Sequence, residues 1–150
     1  MNDLRKRWDA RWREKAQNAE SQADPWLKRV FPLLDRGRVL DVACGSGRNT
    51  LYLAEQHFDV TAVDLSPQAL ELLAQEAVDR ALVVKSLLVD LESTPLLPEG
   101  PFDLIIDFFY LHRPLIPKLA DRLRPGGCWY FEPSAVRVSF LKATSTLVSF

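Results

Sequence analysis

Over residues 3–20 the apolar positions Leu4, Trp8 and Trp12 recur every four residues, which places them on one face of a helix. Arg5, Lys6, Arg7, Arg11, Arg13 and Lys15 surround that stripe with positive charge. After a turn at Asp24-Pro25, Trp26–Leu34 predicts a second short helix that Pro32 can break. From Arg38 onward the pattern changes to short apolar runs alternating with amphipathic ones. The runs Arg38–Ala43, Phe58–Asp64, Leu82–Asp90, Phe102–Phe108 and Cys128–Glu132 predict five strands. Between them, Arg48–Gln56 predicts one helix. A second starts with Ser66 as cap and Pro67 at its first position, and carries Ala69, Leu70, Leu73 and Ala77 on one face. Leu115, Ile116, Leu119, Ala120 and Leu123 mark a third helical face, with Pro125-Gly126-Gly127 as its stop.

Strands alternating with helices in this order predict an α/β fold: a Rossmann-like, doubly wound, mostly parallel sheet with helices on both faces. The 150 residues suit one domain. Within it, 1–35 read as a helical lid region, 38–133 as a ligand-binding core and 134–150 as an atypical short C-terminal segment. Val136, Val138 and Phe140 alternate as in a strand, but no Gly or Asn-Gly turn offers a hairpin there.

The 19 basic residues against 20 acidic ones give a net charge of −1 and no general attraction to nucleic acid or anionic membrane. Cys44 and Cys128 are far apart in apolar surroundings, so a disulfide is not expected and a reducing cytoplasm is the natural setting. A charged N-terminus and the lack of a long apolar run argue against a signal peptide or a membrane span. No metal site is expected.

In an open α/β sheet, ligands bind beyond the carboxyl ends of the strands. Asp41, Asp64, Asp90 and Asp107 fall at or near those ends, beside the turn Gly45-Ser46-Gly47. Any one of these carboxylates could simply cap a helix; four beside a glycine turn point to a site. An acidic group some 20 residues after the turn's strand suits a ribose-bearing cofactor, and Asp64 stands there. A dinucleotide would want a third glycine where Thr50 stands, and its pyrophosphate would be repelled by Asp41. These two residues disfavour a nicotinamide-dependent oxidoreductase and favour a cationic ligand. His57 reads as a surface histidine, whereas His112, just after the fourth strand, is as well placed for chemistry as for capping a helix.

VLDVACGSGRNTLYLAEQ (39–56) followed by FDVTAVDLSPQALELL (58–73) resembles the cofactor signature of class I S-adenosylmethionine-dependent methyltransferases. VDLE (89–92), FDLIIDFFYLHR (102–113) and LRPGGCWYFE (123–132) resemble later stations of that family. The wording of 44–56 is most similar to the tellurite-resistance and thiopurine-type branch. Trp8-Asp9-Ala10-Arg11-Trp12 resembles the family's W-D-x-R-Y helix, with Trp12 in place of tyrosine.

The resemblance implies S-adenosylmethionine as cofactor, with its methionine moiety on Asp41, Gly45 and Gly47. It places the ribose on Asp64, and the adenine between Leu65 and Leu91 with its amino group on Asp90. Arg11 could pair with the cofactor carboxylate, and Phe108 to His112 would wall the transferable methyl. Asp107, Tyr110 and His112 are the candidate catalytic groups. They suit a small, soft acceptor, which needs little help from a base. The rival reading is a protein that binds the cofactor or its demethylated product and transfers nothing. The resemblance stops near Glu132, and the family's last helix and two strands are expected to be missing or reduced, as in a shortened or frame-shifted product. A bare sheet edge would then invite a homodimer.

Overall fold

The computed structural model describes residues 3–15, 22–34, 37–93 and 96–132, together with the backbone of 138–143 and 146–149. Its parallel core consists of β1 (Arg38–Val42), β2 (Asp59–Asp64), β3 (Lys85–Leu88), β4 (Phe102–Phe108) and β5 (Leu123–Glu132). Between them lie α3 (Arg48–Glu55), α4 (Pro67–Asp79) and α5 (Ile116–Ala120), preceded by α1 (Asp3–Lys15) and α2 (Pro25–Val30). With β6 (Val138–Ala143) and β7 (Thr146–Ser149) the sheet runs β3-β2-β1-β4-β5-β6-β7.

β1 and β4 lie inside this order and are buried almost throughout because helices cover both of their faces. On one face Leu40, Val42, Ile105, Trp129 and Phe131 pack with Leu115 and Leu119 beside α5. On the other, Val39, Ile106 and Tyr130 pack with Leu27 of α2 and Leu53 of α3, and Trp26 stacks on Tyr130 with ring centroids 3.4 Å apart. β3 is different: it forms the outer edge, and all four of its residues are exposed. Its apolar flanks are therefore less a buried run than an edge strand's approach, which is why the strand is shorter than Leu82–Asp90.

Two further boundaries differ from the sequence pattern. The helix expected to run through Leu123 ends at Ala120, and Leu123 already pairs with Phe102 in β5. Leu123 is buried either way, so a helical and a strand period both accommodate it. Pro125-Gly126-Gly127, expected as a helix stop, forms an irregularity inside β5. The pairing advances from Phe102–Leu123 to Leu104–Cys128 across it, and Gly126 takes a positive φ of 78°.

The C-terminal strands are present in reduced form. β6 runs antiparallel to β5, with Trp129 opposite Phe140, and β7 runs antiparallel to β6. Only residues 133–137 join β5 to β6, too few for a crossover helix but enough for a hairpin. β5 therefore carries a partner, and the bare edge expected there is corrected; Val136 lies outside the described residues. Among the described residues no helix is long and apolar enough to cross a membrane.

Candidate active site

The strand order reverses beside β1, whose neighbours are β2 and β4, and the carboxyl ends of these strands open into a cavity of about 530 Å³. That size is ordinary for a small-molecule site. Asp41, Gly45, Gly47, Asp64, Leu65, Asp90, Leu91, Phe108, Tyr110 and Arg11 all line it. Asp107 and His112 do not. Asp107 is buried on β4 beneath the cavity, beside Val42. His112 precedes the 3₁₀ turn Arg113–Leu115, where its carbonyl accepts the Leu115 N–H.

Asp64 ends β2 and organises the glycine turn. Its carboxylate accepts the Gly45 N–H at 2.8 Å and the Ser66 N–H at 2.9 Å. Burial nevertheless raises its pKa, opposed by those backbone donors. Asp41, 3% exposed, accepts the Thr50 hydroxyl at 2.6 Å. Its pKa is pushed up to about 7, first by burial and then by the charge of Asp64, while the Thr50 bond and Arg48 act the other way. The position that would hold a dinucleotide motif's third glycine thus serves to hold Asp41.

Two glycines that suggest close ligand approach are also required by the protein's own packing. Gly45 (φ 59°) and Gly47 (φ 83°) adopt left-handed backbone, and a β-carbon on them would lie 2.3 Å from Trp12 and Leu73 respectively. Trp12 comes from α1, which lies across the turn. The docking point of α1 is Asp9, whose carboxylate accepts the Ser66 hydroxyl and the Gln68 N–H at the start of α4. Ser66 in turn caps α4 by accepting the Ala69 N–H at 3.1 Å. Arg11 stacks over Trp8 and Lys15 over Trp12.

Sequence reasoning did not single out Lys15, Arg48, Asn49 or Glu92, which also line the cavity. Arg48 and Asn49 open α3 immediately after the glycine turn. They are tied to the second helix through Asp24, whose N–H donates to Asn49 Oδ1 at 2.8 Å and whose carboxylate lies 4.0 Å from Arg48. Their place at a helix N-terminus beyond the turn was the available signal. Burial lowers the Lys15 pKa, and the charges of Arg11 and Arg48 lower it further, so three cations converge at one end of the cavity.

The donor set fits the group that the resemblance implies. Two buried carboxylates that repel each other accommodate an ammonium or sulfonium, and the three cations accommodate a carboxylate. A pyrophosphate would face Asp41 and Asp64. Cys44, in the same turn, donates to the Gly45 carbonyl and is held protonated by burial and the two aspartates, so it is no nucleophile.

Residues 39–127 match the profile of the methyltransferase domain family. The chain belongs to this family. Human glycine N-methyltransferase is 30% identical over 135 residues, 75% of this chain and 45% of that protein. The probable S-adenosyl-L-methionine-dependent methyltransferase TehB of Haemophilus influenzae is 28% identical over 90 residues, 58% of this chain and 31% of that one. A solved structure described as "Conversion of a Disulfide Bond into a Thioacetal Group during Echinomycin Biosynthesis" superposes with a TM-score of 0.73 at 26% identity. That match covers 85% of this chain and 59% of the other. The chain spans less than half of these two curated relatives.

The position of α1 carries a direct expectation. Deleting residues 1–20 removes Trp8, Trp12, Arg11 and Lys15 from the cavity but no fully buried side chain of α1, since that helix has none. Cofactor affinity, read by calorimetry, should fall about tenfold or more, while the urea midpoint shifts little. Equal affinity with and without the segment would make α1 a structural appendage.

Proposed function

We propose that the chain binds S-adenosylmethionine in this cavity and transfers its methyl group to a small, soft nucleophile. The observation that carries the reading is the pair Asp41 and Asp64, buried together at the strand ends of a cavity that Arg11, Lys15 and Arg48 also line. Asp41 would hold the ammonium, and Asp64 would accept both ribose hydroxyls. Leu65 and Leu91 would flank the adenine, with Asp90 taking its amino group. Arg11, joined by Lys15 and Arg48, would hold the carboxylate.

When bound, the cofactor supplies an electrophilic methyl carbon on its sulfonium. The chain's residues orient the reactants and keep water out, α1 forming the cover. Orientation of this kind contributes on the order of 7–11 kcal/mol in favourable cases. Neither Asp107 nor Tyr110 supplies a ready base at neutral pH. Burial, followed by the charge of Asp41, pushes Asp107 up to about 8, so it is mostly protonated at neutral pH. Tyr110 is held protonated by burial and by the carboxylates of Glu92, Asp107 and Asp90. Its hydroxyl can donate a hydrogen bond to an acceptor but does not take its proton. A thiolate or selenite anion brings its own lone pair to the methyl carbon and needs no proton removed on the enzyme. The similar structure from echinomycin biosynthesis is described by a conversion at sulfur, which supports the same acceptor type.

The test is transfer of a tritiated methyl group from S-adenosylmethionine to selenite, an alkanethiol, a catechol and a primary amine. Label in the first two is expected. Label in the catechol or the amine alone would overturn the soft-acceptor reading, and binding without any transfer would leave a cofactor-binding protein.

A further inference from the structure

Phe109 has a backbone conformation that its side chain disfavours. It follows the last residue of β4 at φ 65°, in the left-handed region, where a bulky residue is an outlier. Strain of this kind is retained where the surroundings over-determine it. Here they do: the Phe109 N–H donates to the Glu132 carbonyl of β5 at 2.6 Å, and the Tyr110 N–H bonds back to the Asp107 carboxyl. Glycine or asparagine would meet the turn's requirement without strain. A phenyl ring adds little to the core, since Phe109 is 56% exposed and its ring lies against that of Phe108, which is itself buried against Tyr130. The exposed ring instead forms part of the cavity wall, between Phe108 and Tyr110.

We propose that Phe109 is a specificity-determining residue: its strained turn presents an apolar face to the cavity, which selects acceptors that carry an apolar segment beside the nucleophilic atom. This rests on the soft-acceptor reading above and narrows it. An inorganic oxyanion offers nothing to the ring, whereas an alkanethiol buries methylenes against it. A hydrophobic contact of this kind contributes about fourfold in affinity per buried methylene. In the transfer itself the thiolate sulfur forms the bond to the methyl carbon while the sulfonium carbon–sulfur bond breaks, its electron pair staying on the cofactor. The thiol proton has already gone to solvent.

The experiment uses the straight-chain series from ethanethiol to hexanethiol, read in two ways. Calorimetry measures binding to the complex with S-adenosylhomocysteine, which needs no turnover; tritium transfer gives KM and kcat. In the natural chain, dissociation constants and KM should fall severalfold per methylene over the first members, with kcat little changed. Phe109→Gly and Phe109→Asn, which suit the left-handed turn and so keep the fold, should flatten that series. Phe109→Tyr should retain it. A natural chain without length dependence, or a Phe109→Gly protein that keeps it, overturns the inference. A length-dependent binding series without methyl transfer sustains the Phe109 assignment and contradicts the proposed activity instead.

Discussion

Replacing Asp41 with asparagine is expected to make the free protein more stable at pH 8 and its hold on S-adenosylmethionine weaker. The carboxyl is 3% exposed, shares the cavity with Asp64, and sits at a pKa of about 7 instead of the usual carboxylate range. A carboxyl whose folded pKa is raised contributes stability that is complete below its unfolded pKa and is lost as pH rises through the folded value. For Asp41 that window runs from about 4 to about 7, and for Asp107 to about 8. The free protein should therefore lose stability from pH 5 to pH 8, and Asp41→Asn should remove part of that loss. Asparagine keeps an oxygen for the Thr50 hydroxyl, so the local fold survives.

Cofactor binding runs the other way. Losing one member of a buried charge pair costs about 2 kcal/mol or more, some thirtyfold in affinity. Because binding requires the ionised carboxylate, affinity of the natural chain should rise about tenfold from pH 6 to pH 8, with proton release. The Asp41→Asn protein should show a flatter profile. Calorimetry in buffers of different ionisation enthalpy checks both, and a thermal scan checks the stability. A pH-independent affinity for the natural chain would remove Asp41 from the ammonium site.

Asp64→Ala should weaken the cofactor by about tenfold to a hundredfold, the range for losing a hydrogen-bonding charged group. The change also strips two backbone amides, Gly45 and Ser66, of their acceptor, so the glycine turn loosens. Asp64→Asn should fall in the same direction even though it conserves shape. One of its two terminal atoms becomes an N–H₂ donor facing a backbone N–H. Unchanged affinity in a folded Asp64→Ala protein would exclude the ribose role.

The parallel core is legible in the sequence because β1, β2 and β4 are short apolar runs closed by aspartates, and Phe102–Phe108 coincides with the strand observed. The Ser66–Pro67 cap is legible for the same local reason, that its chemistry lies within three residues. What is not legible depends on distant partners. The edge position of β3 follows from strand order, the irregularity in β5 from its pairing with β4, and the pairing of β6 from a connection too short for a crossover. Within the site, the aspartates at strand ends and the glycine turn are readable, and Arg48 follows that turn directly, whereas Lys15 reaches the cavity only because Asp9 docks the remote helix α1 on it. Gly45 is readable as a glycine that must be small. That Trp12 is what fills its space becomes visible only once α1 is docked.

The most direct test is calorimetric titration of the chain with S-adenosylmethionine and with NAD at pH 8. One-to-one binding of S-adenosylmethionine, lost about tenfold or more in Asp64→Ala, with no heat from NAD, is the expected result. Binding of NAD in preference to S-adenosylmethionine would contradict the assignment of the cavity to a cationic cofactor.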